Sequence, residues 1–281
     1  MRVWLLVPAV LVATITVHAQ NWPSFRGPGA AGVSTAAVAP PANWDLATST
    51  NVAWRTPIPG MGHSSPIVWG DRIYVTTAVP ASGRPTVSTG DSSKAGINSA
   101  PDTVSHTWRL IAIDKTSGKV AWDRPVHQGV PRIKRHVKAS HASATPATDG
   151  RYVVALMGSE GLFCFDMNGS QRWRVDLGLL DVGLVDDRSH QWGPASSPII
   201  VGDLVIVQND RHTDSFVAAY DIATGKEVWR TPHDDYPSWA TPAVFRNGTR
   251  TEIVTNAGKF LRGFDSAAGA SSGDSRTTTR R

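Results

Sequence analysis

The sequence predicts an all-β chain, a β-propeller of four-stranded antiparallel blades. Three observations carry the prediction. Short apolar runs alternate with Gly-Asp, Asp-Gly and Asn-Gly turns, and no amphipathic helical segment separates them. A proline opens each module, at Ser64-Ser65-Pro66, Ala144-Thr145-Pro146, Ser196-Ser197-Pro198 and Ala240-Thr241-Pro242. The steps between these prolines are 80, 52 and 44 residues, and the last two sit near the blade period of roughly 40–50 residues. One module has too little apolar surface to stand alone, so its sheet must pack face to face with its neighbours around an axis.

The most complete module runs from Ser196 to Trp229. After its proline and Gly202-Asp203 turn come the alternating run Leu204 to Val207, a second run Phe216 to Tyr220, and the turn Asp221-Ile222-Ala223-Thr224-Gly225-Lys226. The aspartate side chain stabilises that turn and the glycine takes its left-handed position, closing the hairpin that carries the tryptophan. The first module holds the same pattern in Asp114, Gly118 and Trp122, and the second in Asp166, Gly169 and Trp173. In the second, Asn168-Gly169 supplies a tighter hairpin. The fourth reaches Asp265 and Gly269. Asn51 to Pro57 matches Lys226 to Pro232 and reads as a final strand whose own module is missing. Residues 78–107 of the first module, rich in Ser, Thr, Gly and Pro, are expected to form a surface insertion. Trp54, Trp122, Trp173 and Trp229 are expected to fill the gaps between neighbouring blades.

Residues 1–19 have a positive start, an apolar run from Val3 to Val17 and a small residue at Ala19, the pattern of a secretory signal peptide. The run is too short to cross a bilayer in the usual way. Cleavage leaves 262 residues and an exported protein, periplasmic or extracellular. Residues 20–50 read as an extended arm, 51–269 as the repeats, and 270–281 as a disordered polar tail. Gly27, Gly29 and Gly32 satisfy G-x-G-x-x-G, but no strand precedes them and no helix follows, so no dinucleotide site is expected. The formal charge of +5 falls to +2 once Arg2 and the last fifteen residues are set aside, which does not imply nucleic acid. Lys134-Arg135-His136-Val137-Lys138 is the only local basic cluster and reads as a loop surface. Cys164 stands alone in an apolar strand, so no intramolecular disulfide is available and a buried packing role is expected.

The signature Ala112-x-Asp114…Gly118-Lys119…Trp122, repeated as Ala219-x-Asp221…Gly225-Lys226…Trp229, resembles the PQQ-like β-propeller repeat family, also described as quinoprotein alcohol dehydrogenase-like. Trp22-Pro23-x-Phe25-Arg26-Gly27-Pro28 resembles the start of a secreted bacterial subgroup of it. The resemblance spans Asn21 to Gly269 and implies blades in a ring of seven or eight, of which about four are present as an open arc. It implies that the strand ending on Trp54 pairs with a C-terminal blade.

The resemblance also implies that quinone-using relatives hold pyrroloquinoline quinone on the axis with Ca²⁺, an Asp base and often a Cys pair. One cysteine cannot supply that pair. Asp186-Asp187 and Asp210…Asp214 lack hard-cation spacing and read as loop charges. No histidine falls at zinc spacing, and no nucleophile elbow, phosphate loop or H-E-x-x-H is present. No catalytic residue, metal or cofactor is therefore expected. The segments before the opening prolines carry His63, His141, His190, Trp192 and Trp239, which in a propeller reach one face near the channel and form a candidate binding face. The reading favoured by these residues is an exported, non-catalytic scaffold that binds a protein or small ligand. Its rivals are a fragment of a quinone-dependent dehydrogenase, with quinone and calcium as cofactors, and a non-functional fragment of a disrupted gene.

Overall fold

A computed structural model describes residues 20–36, 39–87, 98–100, 102–183, 190–248 and 250–276; the signal-like segment 1–19 and Asp186-Asp187 lie outside them. In chain order the strands are β1 (Ile67–Trp69), β2 (Arg72–Pro80), β3 (Ser99–Ala100), β4 (His106–Asp114), β5 (Val120–Gly129) and β6 (Arg135–His136). There follow β7 (Ala147–Thr148), β8 (Tyr152–Leu156), β9 (Leu162–Asp166) and β10 (Gln171–Val175). The last two groups are β11 (Ile199–Val201), β12 (Leu204–Asn209), β13 (Ser215–Asp221), β14 (Glu227–His233), then β15 (Ala243–Asn247), β16 (Arg250–Asn256), β17 (Phe260–Asp265), β18 (Ser271–Arg276). They build four antiparallel four-stranded sheets, β1-β2-β4-β5, β7-β8-β9-β10, β11-β12-β13-β14 and β15-β16-β17-β18, and a small β3-β6 ladder. These are propeller blades, and the ring is not closed.

Both faces of a middle blade are buried, because each packs on a neighbour. Val205, Val207, Ala218 and Tyr220 of the third blade face the second, whereas Ile206, Val217 and Ala219 pack with Ile253 and Phe264 of the fourth. Alternation of side chains along a strand makes this two-sided core possible. Cys164 is buried in the first of these layers, where desolvation pushes its thiol up to about 12.

Two features join the blades. Each repeat tryptophan lies on the turn glycine of the next blade: Trp54 on Gly118, Trp122 on Gly169, Trp173 on Gly225 and Trp229 on Gly269. Their indole N–H groups donate to carbonyls of that turn, at Lys115 (2.9 Å), Met167 (3.1 Å), Ile222 (2.8 Å) and Ser266 (3.2 Å). A bulge just before the register of Trp122, Trp173 and Trp229 re-aims the outer strand, as between Ala219 and Tyr220 in the β13–β14 pairing. The aspartates behave as turn acceptors: Asp221 Oδ1 accepts from Thr224 N–H (2.8 Å) and Oγ1 (2.6 Å), and the hydroxyl contact holds its carboxyl below the usual range. The second feature is a relay at the opening prolines. Ser65 N–H donates to Thr145 Oγ1 (2.9 Å), Thr145 N–H to Ser197 Oγ (2.9 Å) and Ser197 N–H to Thr241 Oγ1 (3.0 Å).

The arm lies along the inner strands. Trp22 exchanges backbone hydrogen bonds with Val68 (2.8 and 2.9 Å), and Pro23 O accepts from Thr148 N–H at 2.8 Å. Pro23, Ser24, Gly29 and Ala30 border a space of about 90 Å³ with Ile199, Pro242 and Val244, so the arm faces the third and fourth blades as well as pairing with the first and contacting the second. Gly27 sits under the Trp22 ring, which explains that glycine without a nucleotide.

Three expectations need correction. The insertion is shorter than 78–107, because Ala78 to Pro80 pair with Trp108 to His106; ladder hydrogen bonds need no apolar side chains, and polar composition concealed these strand ends. For the same reason Ser271–Arg276, expected as disordered tail, forms β18 on β17. Gly273 occupies its tryptophan register, opposite Gly263, and all six of its residues are exposed. Finally, residues 52–60 form no strand: they cover the outer face of the first blade through Trp54 and the bond from Thr77 Oγ1 to Pro59 O (2.6 Å).

Candidate functional site

The loops before the second, third and fourth blades meet on one face. The Trp192 and Trp239 rings lie 6.1 Å apart at 42°. The edge of His136 meets Trp192 at 5.3 Å and 78°. With Lys138, Ala139 and Ser143 they line a mostly apolar cavity of about 310 Å³. Trp239 is 45% exposed, and an aromatic ring left that open in a cavity wall offers contact area to a ligand.

Three acids hold the walls. Asp102, in the insertion, accepts from Arg135 Nε (2.6 Å) and His141 Nε2 (2.9 Å). Burial raises the Asp102 carboxyl, but the Arg135 guanidinium and His141 more than offset this and it titrates below its usual range. Burial drives the His141 ring down to about 4, with Asp102 opposing and His106 adding to the shift. Asp181 Oδ1 accepts from Trp192 N–H at 3.2 Å. Asp210 accepts from His233 Nε2 (2.8 Å), Gln208 Nε2 (2.6 Å) and Ser238 Oγ (2.5 Å), the residue before Trp239. Asp210 is therefore a buried anchor and not the loop charge its spacing suggested.

Of the five residues proposed for the face, the structure brings together Trp192 and Trp239. His63 is exposed and joins the assembly only through its backbone N–H, which donates to Ala142 O (3.0 Å) and Ser140 Oγ (3.1 Å). His141 is buried against His106 and Trp108. His190 is half-buried and does not line the cavity. His136 and Lys138 were read as loop surface. Their proximity to two tryptophans comes from pairing of β3 with β6 and from the 190–193 loop, which no spacing encodes.

Asp102, His106 and His141 place one ligand atom each within 4.8 Å of one another. His106 Nδ1 donates to Val104 O (2.9 Å), leaving Nε2 as the acceptor. Arg135, 2% exposed, already pairs with the carboxylate. A divalent ion would add two positive charges beside a buried guanidinium, a costly arrangement, so the set acts as a lock on the insertion. Nor do the residues present fit quinone and calcium. The lone Cys164 is buried within a blade, the arm occupies the inner strands, and this lock is the one His/Asp group of ligating geometry among the described residues.

Residues 42–231 and 106–270 match, as two overlapping stretches, the PQQ-like repeat family described as "Outer membrane protein assembly factor BamB". The chain belongs to this family. It is 28% identical over 124 residues to "Outer membrane protein assembly factor BamB" of Burkholderia pseudomallei (strain K96243), a match covering 43% of this chain and 27% of that protein. Among solved structures it is similar to BamB from Moraxella catarrhalis, at 18% identity and a TM-score of 0.43, over 82% of this chain and 68% of the other. It is also similar to quinohemoprotein alcohol dehydrogenase from Comamonas testosteroni, at 14% identity and a TM-score of 0.48, over 78% and 35%. A europium-containing methanol dehydrogenase matches at 14% identity and a TM-score of 0.46, over 75% and 41%. The chain thus spans about a quarter of the curated relative's length and under half of either dehydrogenase. Among the described residues no helix is long and apolar enough to cross a membrane.

Proposed function

We propose that this chain is an exported, non-catalytic scaffold that binds a protein through the Trp192–Trp239 face. The observation that carries the reading is the exposed aromatic cleft, whose walls the carboxylates of Asp181 and Asp210 hold in place. The blades supply a rigid frame and the loops supply the contact, the usual division of labour in binding folds. Export rests on the signal-like residues 1–19, and a protein partner accords with the assembly factors that share the family.

The test replaces Ser143, on the cavity wall, with a photoactivatable p-benzoylphenylalanine and irradiates living cells that export the chain. The expected result is a discrete crosslinked protein that disappears in the Trp192→Ala/Trp239→Ala variant. A crosslink that survives the double substitution overturns the site. Stoichiometric uptake of pyrroloquinoline quinone with Ca²⁺ and dye-linked alcohol oxidation overturns the non-catalytic reading.

A further inference from the structure

The basic cluster of the sequence lies on the rim of the aromatic cavity, and its Lys138 is exposed there. Arg132 pairs with Asp176 (2.9 Å) and Arg135 with Asp102 (2.6 Å). Lys138 follows in the same loop, exposed on the cavity wall, and no carboxylate lines that wall. The cavity is therefore apolar inside and positive at its edge. Its volume of about 310 Å³ is at the low end of ligand pockets, which run roughly 300–1,000 Å³; that is room for one large side chain. Trp192, a wall residue, also buries its indole N–H without a hydrogen-bond partner. An unmet buried donor costs free energy until it is paired.

We propose that the partner is an acidic, extended protein segment that inserts one aromatic or large aliphatic side chain between Trp192 and Trp239, with flanking carboxylates over Lys138. This rests on the scaffold reading above. Single-stranded nucleic acid also combines stacking with positive charge, but it needs successive stacking platforms along a charged groove. Here two rings converge on a single cleft.

The experiment is fluorescence anisotropy with four labelled probes. They are an eight-residue peptide with one Phe flanked by Asp and Glu, its Asn/Gln counterpart, its Ala-for-Phe counterpart, and an eight-nucleotide oligothymidine. The acidic Phe peptide is expected to bind about tenfold more tightly than either altered peptide, and its affinity should fall as salt screens the charges. Trp239→Ala should weaken it about tenfold or more, as for a central aromatic anchor, and Lys138→Gln about threefold. Circular dichroism melts of both variants should match the parent, since both side chains are on the surface. Equal binding of the neutral peptide overturns the charge requirement, and tighter binding of oligothymidine overturns the protein segment. If no peptide binds while the Ser143 crosslink persists, this inference fails and the scaffold stands. Loss of both removes the two together.

Discussion

The Trp173 indole lies flat against Gly225 of the following blade, where a Cβ would come within 2.7 Å of the ring. The glycine also sits at φ +73, so the position excludes a side chain on two counts. Gly225→Ala is expected to cost ~2–4 kcal/mol, combining backbone strain with displacement of the indole. Trp173→Ala should cost ~3–5 kcal/mol through the cavity it leaves. Urea unfolding of each variant checks both. Because the two changes act on one contact, the double variant should lose clearly less than their sum.

The opening prolines yield a second prediction. Thr145, 2% exposed, accepts from Ser65 N–H and donates its own N–H to Ser197 Oγ. Thr145→Val keeps the shape but strands the Ser65 amide, so a loss of ~1–3 kcal/mol is expected. Hydrogen exchange at the Ser65 amide should accelerate while amides inside β13 keep their protection. Uniform acceleration of both would count against a local stitch.

The repeats were legible because the features that make a blade are local. Asp221, Gly225 and Trp229 lie within nine residues, and turn, bulge and indole follow from that spacing. The cavity was half legible. Trp192 and Trp239 stood out as aromatics ahead of opening prolines, but His136 and Lys138 reach them through the β3–β6 ladder. Asp102 and Arg135 are 33 residues apart, and Asp210 and Ser238 are 28 apart. Pairs at such separation carry no period, and a buried acid reads in sequence like a solvated one. His141 was singled out for the right loop and the wrong direction: it points into the lock on the insertion, away from the cavity.

That lock gives a pH dependence. Burial depresses the folded-state pKa of His141 to about 4, below the 6.5 of an unperturbed imidazole. The folded state therefore keeps the ring neutral where the unfolded chain has already taken up a proton. Stability is complete above about pH 6.5 and falls as pH drops toward 4, by ~3 kcal/mol for a shift of this size. His106, Arg135 and Asp102 face the ring, and Asp102, itself held low, should protonate only below this window. Urea midpoints measured between pH 7 and 4 should fall steeply in the parent and less in His141→Gln. An unchanged slope in that variant would assign the loss to other groups.

The arm gives the last prediction. Trp22 pairs with Val68 of the first blade, Pro23 with Thr148 of the second, and Pro28–Ala30 lies by β15 of the fourth. Because the ring is open, no covalent or sheet closure holds the first blade to the fourth, and the arm is the segment that spans them. Trp22→Ala removes the ring that packs on Gly27 and should lower the unfolding free energy by ~2–4 kcal/mol. Its effect should reach further than its own contacts. Limited proteolysis is expected to begin in the fourth blade, whose β18 is exposed along its whole length, before the second blade is cut. If the second blade were cleaved as early as the fourth, the arm would be a surface appendage and not the brace that keeps the arc together.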